Sequence, residues 1–205
     1  MLVDHIGAYL VPWLWLRAVG RIAFPIFCFL LTQGVIHTRN PKRYALRLCL
    51  FAIISELPFD LLRFGGFDMA AQSVMVTLLL GFGMLMLLRD AKSRWLQIGI
   101  VGVFMLAAEL TKCEYGSYGV GLIAVLALTE GRTGSMFARA LALAYPGVMA
   151  PLMGGSVIQI FATLALIPLS LYTGRSISRR KGVKWAFYLF YPVHLAIIYY
   201  FLFLL

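Results

Sequence analysis

His5 and His194 lie near opposite ends of the chain, each inside an apolar run, and imidazole is the side chain that exchanges a proton close to neutral pH. Carboxylates accompany them. Asp4 precedes the first histidine, and Glu56 and Asp60 fall one helical turn apart in ISELPFDL. Arg21, Gln33, Gln72, Glu109 and Gln159 complete a set of polar residues in or at the ends of apolar stretches. An ionisable group in such surroundings is costly unless it is paired or used. Many residues of this kind only tie helices together, and a lone histidine in an apolar segment is more often a satisfied core residue than a base. Two histidines with several carboxylates point further, to a buried acid/base site with His5, Asp4, Glu56 and His194 as candidate catalytic groups. Adjacent residues diverge by about 100° around a helix, so Asp4 is not expected to orient His5 directly.

Other chemistries are poorly served. No GxSxG, Walker loop, HExxH or dinucleotide-binding glycine fingerprint occurs, so a site must be built from the apolar segments themselves. Asp4 or Glu56 beside His5 could ligate a metal, but no paired-His or Cys/His spacing recurs and no metal is expected. Cys28, Cys49 and Cys113 form no CxxC pair and read as packing residues.

The elements that must position these groups are those of a membrane protein. Hydrophobic residues make up 62% of the chain and charged residues 13%, with a mean hydropathy of +0.90. The net charge of +10 does not call for nucleic acid, because 14 of the 18 Lys and Arg fall in four clusters, 39–47, 89–94, 132–139 and 175–184. Each cluster separates two apolar runs, which is the positive-inside signal of cytoplasmic loops. There is no cleavable signal pattern.

The expected fold is all-α, a single-domain (1–205) polytopic transmembrane bundle of about nine helical segments. The first, Leu2–Leu16, ends at an outer interface marked by Trp13, Trp15 and Arg17, which puts His5 about 15 Å deeper. It begins so abruptly that residues upstream of Met1 are expected to be missing. Ile22–Ile36 returns to a cytoplasmic hinge, HTRNPKRYALR, where Asn40 and Pro41 break the helix. The next helix, from Tyr44, carries Glu56 and Asp60 into the outer half, where they could hold a cationic group or pair with Arg21 and Arg63. FGGFDMAAQS then forms an outer turn. Val74–Leu88, Trp95–Leu110, Val120–Leu128, Ala140–Val148, Val157–Tyr172 and Trp185–Leu205 follow, alternating basic loops with TKCEYGSYG and the uncharged PGVMAPLMGG. Pro146 is expected to break the Ala140–Val148 segment, and the stretches 118–130 and 137–150 are short enough to be re-entrant. The N-terminus is then cytoplasmic and the C-terminus external. Gly99 with Gly102 and Gly116 with Gly119 are expected at close helix contacts.

DHIGAYL, GRIAFPIFCFLL, HTRNPKRYALRL, ISELPFDL, EYGSYGV and FYLFYPVHL, in this order, resemble the TraX family of integral membrane proteins over nearly the whole chain. The type member acetylates the N-terminus of conjugal F-pilin, and the family belongs to a wider group of transmembrane acyltransferases. In that group a first-helix histidine is the expected base, a role the resemblance carries onto His5. Family members have several residues before DHIG, and an Asn often follows the equivalent of Gln72, where this chain has Ser73. That departure bears on the acceptor pocket.

The resemblance implies an acyl-CoA-dependent N- or O-acyltransferase of the cytoplasmic (inner) membrane, with acetyl-CoA as co-substrate and no metal. The basic hinge, His37, Arg39, Lys42, Arg43 and Arg47, would take the donor's phosphates, although positive-inside charge alone accounts for the same residues. Arg21, Asp60, Gln72, Tyr115 and Tyr118 would line the acceptor side, with Arg21 or Tyr118 steadying an oxyanion. The acceptor would be a peptide N-terminus, a glycan or an envelope polymer, and membrane lipid surrounds the whole. A proton-coupled multi-pass transporter of a small polar or charged solute is the rival reading, since mid-depth ionisable groups serve carriers too. No inverted repeat is visible.

Overall fold

An apolar run can satisfy its backbone only by bonding to itself, and helices do so within one segment. In the computed structural model, which describes residues 1–132, 136–152, 156–172 and 181–203, all named elements are helical. The side chains of the two basic stretches 132–139 and 175–184 lie outside the described residues.

The first segment differs from the expected single helix over Leu2–Leu16. α1 (Leu2–His5) runs into a π-helical turn, Ile6–Leu10, and the chain is extended at Val11 before α2 (Leu14–Gly20) begins. Pro12 explains the break, because it disfavours helical geometry at the residue before it and donates no hydrogen bond. Trp13 and Trp15 therefore belong to the start of the next segment. The two arms fold back on each other through glycine. A Cβ on Gly7 would stand 2.7 Å from Leu16 Cβ, and one on Gly20 would stand 2.6 Å from Asp4 Cα.

α2 and α3 (Ala23–His37) are separated only by a turn at 21–22. Together they give Leu14–His37, 24 residues, among the described residues the one helical stretch long and apolar enough to cross a membrane. At 1.5 Å per residue it measures about 36 Å. The hinge expected at Asn40–Pro41 is a helix cap: Asn40 Oδ1 accepts from the Arg43 amide at 3.0 Å and Pro41 takes the first position of α4 (Pro41–Phe64). α4 passes through Pro58 and stops at Gly65, whose φ of 74° only glycine adopts easily.

α5 (Val74–Asp90) and α6 (Arg94–Leu110) follow the expected bounds closely. α7 (Gly116–Arg132) is longer than the expected Val120–Leu128. α8 (Met136–Leu152) runs straight through Pro146 and Pro151, so PGVMAPLMGG is mostly helix instead of a loop. Packing on α7 and on the segment that follows holds α8 together where proline removes a bond. That segment is a 3₁₀ helix, Val157–Ala165, ending in α9 (Leu166–Ser170), in place of one α-helix to Tyr172. The 3₁₀ winding rises about 2.0 Å per residue and gives a short stretch more reach. α10 (Lys181–Phe203) continues through Pro192.

α7 sits at the centre, packed on α3, α5, α6 and α8, while α4 lies between α5 and α10. Val120, Leu122, Ile123 and Leu126 of α7 are fully buried with Phe24, Met84 and Leu143. Gly119 is a close contact, its Cβ position lying 3.1 Å from Phe24 and from Thr77. Gly99 and Gly102 are not, since a Cβ placed on either would meet open space. Large apolar side chains also cover the outside, among them Leu46, Ile53, Trp95, Val103 and Phe201, each more than half exposed. Two turns meet at one end of the bundle: the Gln72 amide donates to Lys112 O at 3.1 Å and the Glu114 amide to Gln72 O at 2.8 Å.

Candidate functional site

α1 and α10 meet at the two histidines. His5 Nδ1 lies 3.2 Å from His194 Nε2, with ring centroids 5.1 Å apart, and both residues are buried. His194 Nδ1 lies 2.6 Å from Phe190 O, and His5 Nδ1 lies 3.0 Å from Met1 O. A carbonyl oxygen only accepts, so the network assigns the His194 proton to Nδ1 and leaves Nε2 as an acceptor. His5 Nδ1 must then be the donor, shared between Met1 O and His194 Nε2. The lone pair of neutral His5 is left on Nε2, and no hydrogen bond reaches that atom among the described residues. Its surroundings are aromatic: Tyr9 stacks on His5 at 6.3 Å, and the Tyr191 ring stands edge-on to His194 at 5.5 Å and to His5 at 6.5 Å.

Asp4 turns to the other side of the arm. Both of its oxygens accept from Arg21 Nη2, at 3.1 and 3.0 Å, and Arg17 Nε stands 3.3 Å away. Asp4 and Arg21 are 6% and 7% exposed, so this is a buried charge pair, and it ties α1 to the C-terminal end of α2. Arg21 therefore pairs with Asp4, in place of Glu56 or Asp60. Arg63 rests on the rings of Phe59 and Phe64, at 5.6 and 5.5 Å.

The remaining acids hold the turn that precedes α5. Glu56 accepts from the Ser73 amide at 3.1 Å and from its hydroxyl at 2.7 Å, placing a carboxylate at the positive end of α5. Ser73 thus gives Glu56 donors from both its amide and its Oγ. Asp60 accepts from the Asp68 amide at 3.3 Å. Gln72 joins the two turns through its backbone, and its side chain donates to Ala71 O at 3.3 Å. Tyr115 stacks on Phe24 at 3.6 Å with its edge neighbour Tyr118 at 5.9 Å, and the Tyr118 hydroxyl accepts from Gln159 Nε2 at 2.8 Å. Between the turns, burial pushes the Glu114 carboxyl up, against the pull of Arg21.

His37, Arg39, Lys42 and Arg43 are exposed around the α3–α4 hinge. Arg47 is different. Its guanidinium lies over the Tyr44 ring at 5.7 Å and bonds Tyr188, while its Nε is enclosed without a partner among the described residues. An arginine held this way keeps free donors for an anion, which suits a phosphate-bearing group. Arg47 and Glu56 stand about 14 Å apart along α4, so the basic hinge and the acid cluster occupy different halves of that helix. Among the described residues no three His, Cys, Asp or Glu side chains converge as a metal site would require.

Tyr191, Glu114, Tyr44 and Tyr188 were not among the residues that sequence reasoning selected. Tyr191 had a signal, since it precedes His194 by three positions in a helix and so shares its face.

The fold and site define an all-helical bundle whose first and last helices close on a buried imidazole pair. The chain matches the model of the TraX protein family over residues 1–202 and belongs to that family. A curated relative, the probable fimbrial assembly protein FimC, serogroup H1, of Dichelobacter nodosus, is 30% identical over 198 residues, covering 89% of this chain and 81% of that one. No solved structure matches.

Proposed function

We propose that this chain is a polytopic membrane acyltransferase that moves an acyl group, acetyl being the simplest, from acyl-CoA to an amine or hydroxyl acceptor. The observation that carries the reading is the His5–His194 contact of 3.2 Å, which leaves His5 Nε2 as an unengaged base. His5 Nε2 takes the acceptor's proton, and the charge is shared with His194 through the Nδ1–Nε2 bond. The acceptor atom attacks the thioester carbonyl carbon, the C–S bond breaks, and the thiolate leaves with a proton. The donor's phosphates rest on the exposed hinge residues Arg39, Lys42 and Arg43, with Arg47 directing the chain inward.

Membrane embedding is supported by the apolar exterior, by the Leu14–His37 stretch and by the meeting of the 66–73 and 111–115 turns, both assigned to the outer side by the alternation of basic loops. The N-terminus would be cytoplasmic and the C-terminus external, in the inner membrane. The relative named for fimbrial assembly makes a fimbrial or pilin-like subunit N-terminus the first acceptor to try, ahead of glycans and envelope polymers.

The test uses purified protein, radiolabelled acetyl-CoA and these acceptors. Label transfer or acceptor-dependent CoA release is the expected result. Uptake of a solute into liposomes without either would contradict it and favour a carrier.

A further inference from the structure

The seam between α4 and α10 holds a groove of about 320 Å³ on the outside of the bundle, with Pro58 of one helix and Pro192 of the other in its walls. Proline offers no N–H, and the rest of the lining is carbon almost throughout: Ile54 and Leu61 beside Pro58, Val193 and Ala196 beside Pro192. The volume is at the small end of ligand pockets, which run from about 300 to 1,000 Å³. It admits a single hydrocarbon chain and not another helix, whose own diameter is about 10 Å. The groove does not lead to the imidazole pair. His194 is buried and stands about 200° around α10 from both Pro192 and Ala196, so an acyl chain lying in the groove could not bring its carbonyl carbon to His5.

The groove leads instead to a charge. Arg47, Ile54 and Pro58 follow one another at spacings of seven and four residues and so share one face of α4. Phe51 lies between them, stacked on Tyr188 at 5.0 Å and 5.9 Å from the Trp185 ring, which continues the seam toward the cytoplasmic hinge. There Arg47 is half-buried, over the Tyr44 ring at 5.7 Å and bonded to Tyr188, with no carboxylate at ion-pair distance among the described residues. Leu61, at the far end of the groove, is about 21 Å from Arg47 along the helix, half the full bilayer thickness of about 40 Å with its headgroups. Basic pockets between helices on the cytoplasmic side hold anionic headgroups. A guanidinium with donors to spare at headgroup level, followed by a carbon-lined groove one chain wide that ends near mid-bilayer, has the charge and the reach of one phospholipid of the cytoplasmic leaflet.

We propose that the α4–α10 seam is a binding site for a single anionic phospholipid, its phosphate on Arg47 and one acyl chain in the groove between Pro58 and Pro192. It rests on the membrane embedding proposed for this chain and is independent of acyl transfer. The donor's phosphates rest on Arg39, Lys42 and Arg43, at least one turn nearer the cytoplasm, so the lipid leaves them in place. A chain seated there braces α10, whose opposite face carries His194.

The test offers dioleoyl phosphatidylglycerol and dioleoyl phosphatidylcholine to the full chain in detergent and counts by mass spectrometry the lipid retained after gel filtration. One phosphatidylglycerol per chain is expected, preferred over phosphatidylcholine by about fivefold or more, which is what a single cation at headgroup level supplies. Arg47→Gln should remove the preference, and Ala196→Trp, which fills the groove from an exposed position, should lower retention of both lipids several-fold. Glycerol 3-phosphate, a headgroup without chains, should not displace the lipid. Equal retention of the two lipids by wild type, or a preference that survives in Arg47→Gln, would overturn the inference, as would displacement by glycerol 3-phosphate, the mark of a free-anion site. If Arg47→Gln does not fold, Ala196→Trp decides, and unchanged retention there overturns it. Vesicles of phosphatidylcholine with phosphatidylglycerol separate the two readings. Release of the chain from them by alkaline carbonate would overturn membrane embedding and the site with it, whereas a chain that stays embedded but retains neither lipid selectively sinks the site while the embedding stands.

Discussion

The Asp4–Arg21 pair makes the most exposed energetic claim at the scale of single residues. Both groups are buried, so removing one leaves the other uncompensated. Arg21→Met should destabilise the protein by about 3–5 kcal/mol, and Asp4→Leu in the same chain should recover most of the loss. Denaturant titration of the single and double variants measures this, and a double variant no more stable than Arg21→Met would refute the pairing. The histidine types and their apolar settings were legible in the sequence. Their contact was not, because 189 positions separate them and no local spacing encodes it. Asp4 was legible as not orienting His5, since neighbours on a helix diverge, but its partner 17 residues on depended on a chain reversal that the composition does not announce.

That reversal belongs to the scale of elements. Pro12 was in plain view, yet the Leu2–Leu16 run reads as continuous unless the break at Val11 is taken seriously. Gly20 carries the consequence: a methyl group there meets the Asp4 backbone, so Gly20→Ala should push α1 outward and shift His5. Turnover should fall at least tenfold with donor binding retained, and crosslinking between introduced cysteines on α1 and α10 should slow in parallel. Unaltered turnover would show that the arm does not position His5. The caps at Asn40 and Gly65 were legible because Asn-Pro and Gly-Gly punctuate the chain locally. The lengths of α7 and α8 were not, since tertiary packing carries α8 through two prolines. At the hinge, replacing Arg39, Lys42 and Arg43 together by Gln should raise the donor KM with little change in acceptor KM. An unchanged donor KM would leave those residues as topology determinants.

For the whole molecule, the alternation of basic loops predicts that a reporter after Leu205 is exposed outside the cytoplasm while one near Ser178 is cytoplasmic. Both positions lie outside the described residues, so the charge pattern alone makes this prediction. Reporters on one side would overturn the count of segments. The helical fold was legible because composition and run length nearly force it, whereas the meeting of α1 with α10, and of the 66–73 turn with the 111–115 turn, is a long-range property. The central claim joins that convergence to chemistry, and one rate tests it most directly. Wild type and His5→Ala, both shown to be folded and to bind acetyl-CoA, are compared for transfer of radiolabelled acetyl to acceptor in vesicles whose cytoplasmic face is outward. The account predicts labelled acceptor with wild type and a loss on the order of 10²-fold or more in His5→Ala. A folded His5→Ala protein that transfers label at the wild-type rate would contradict it.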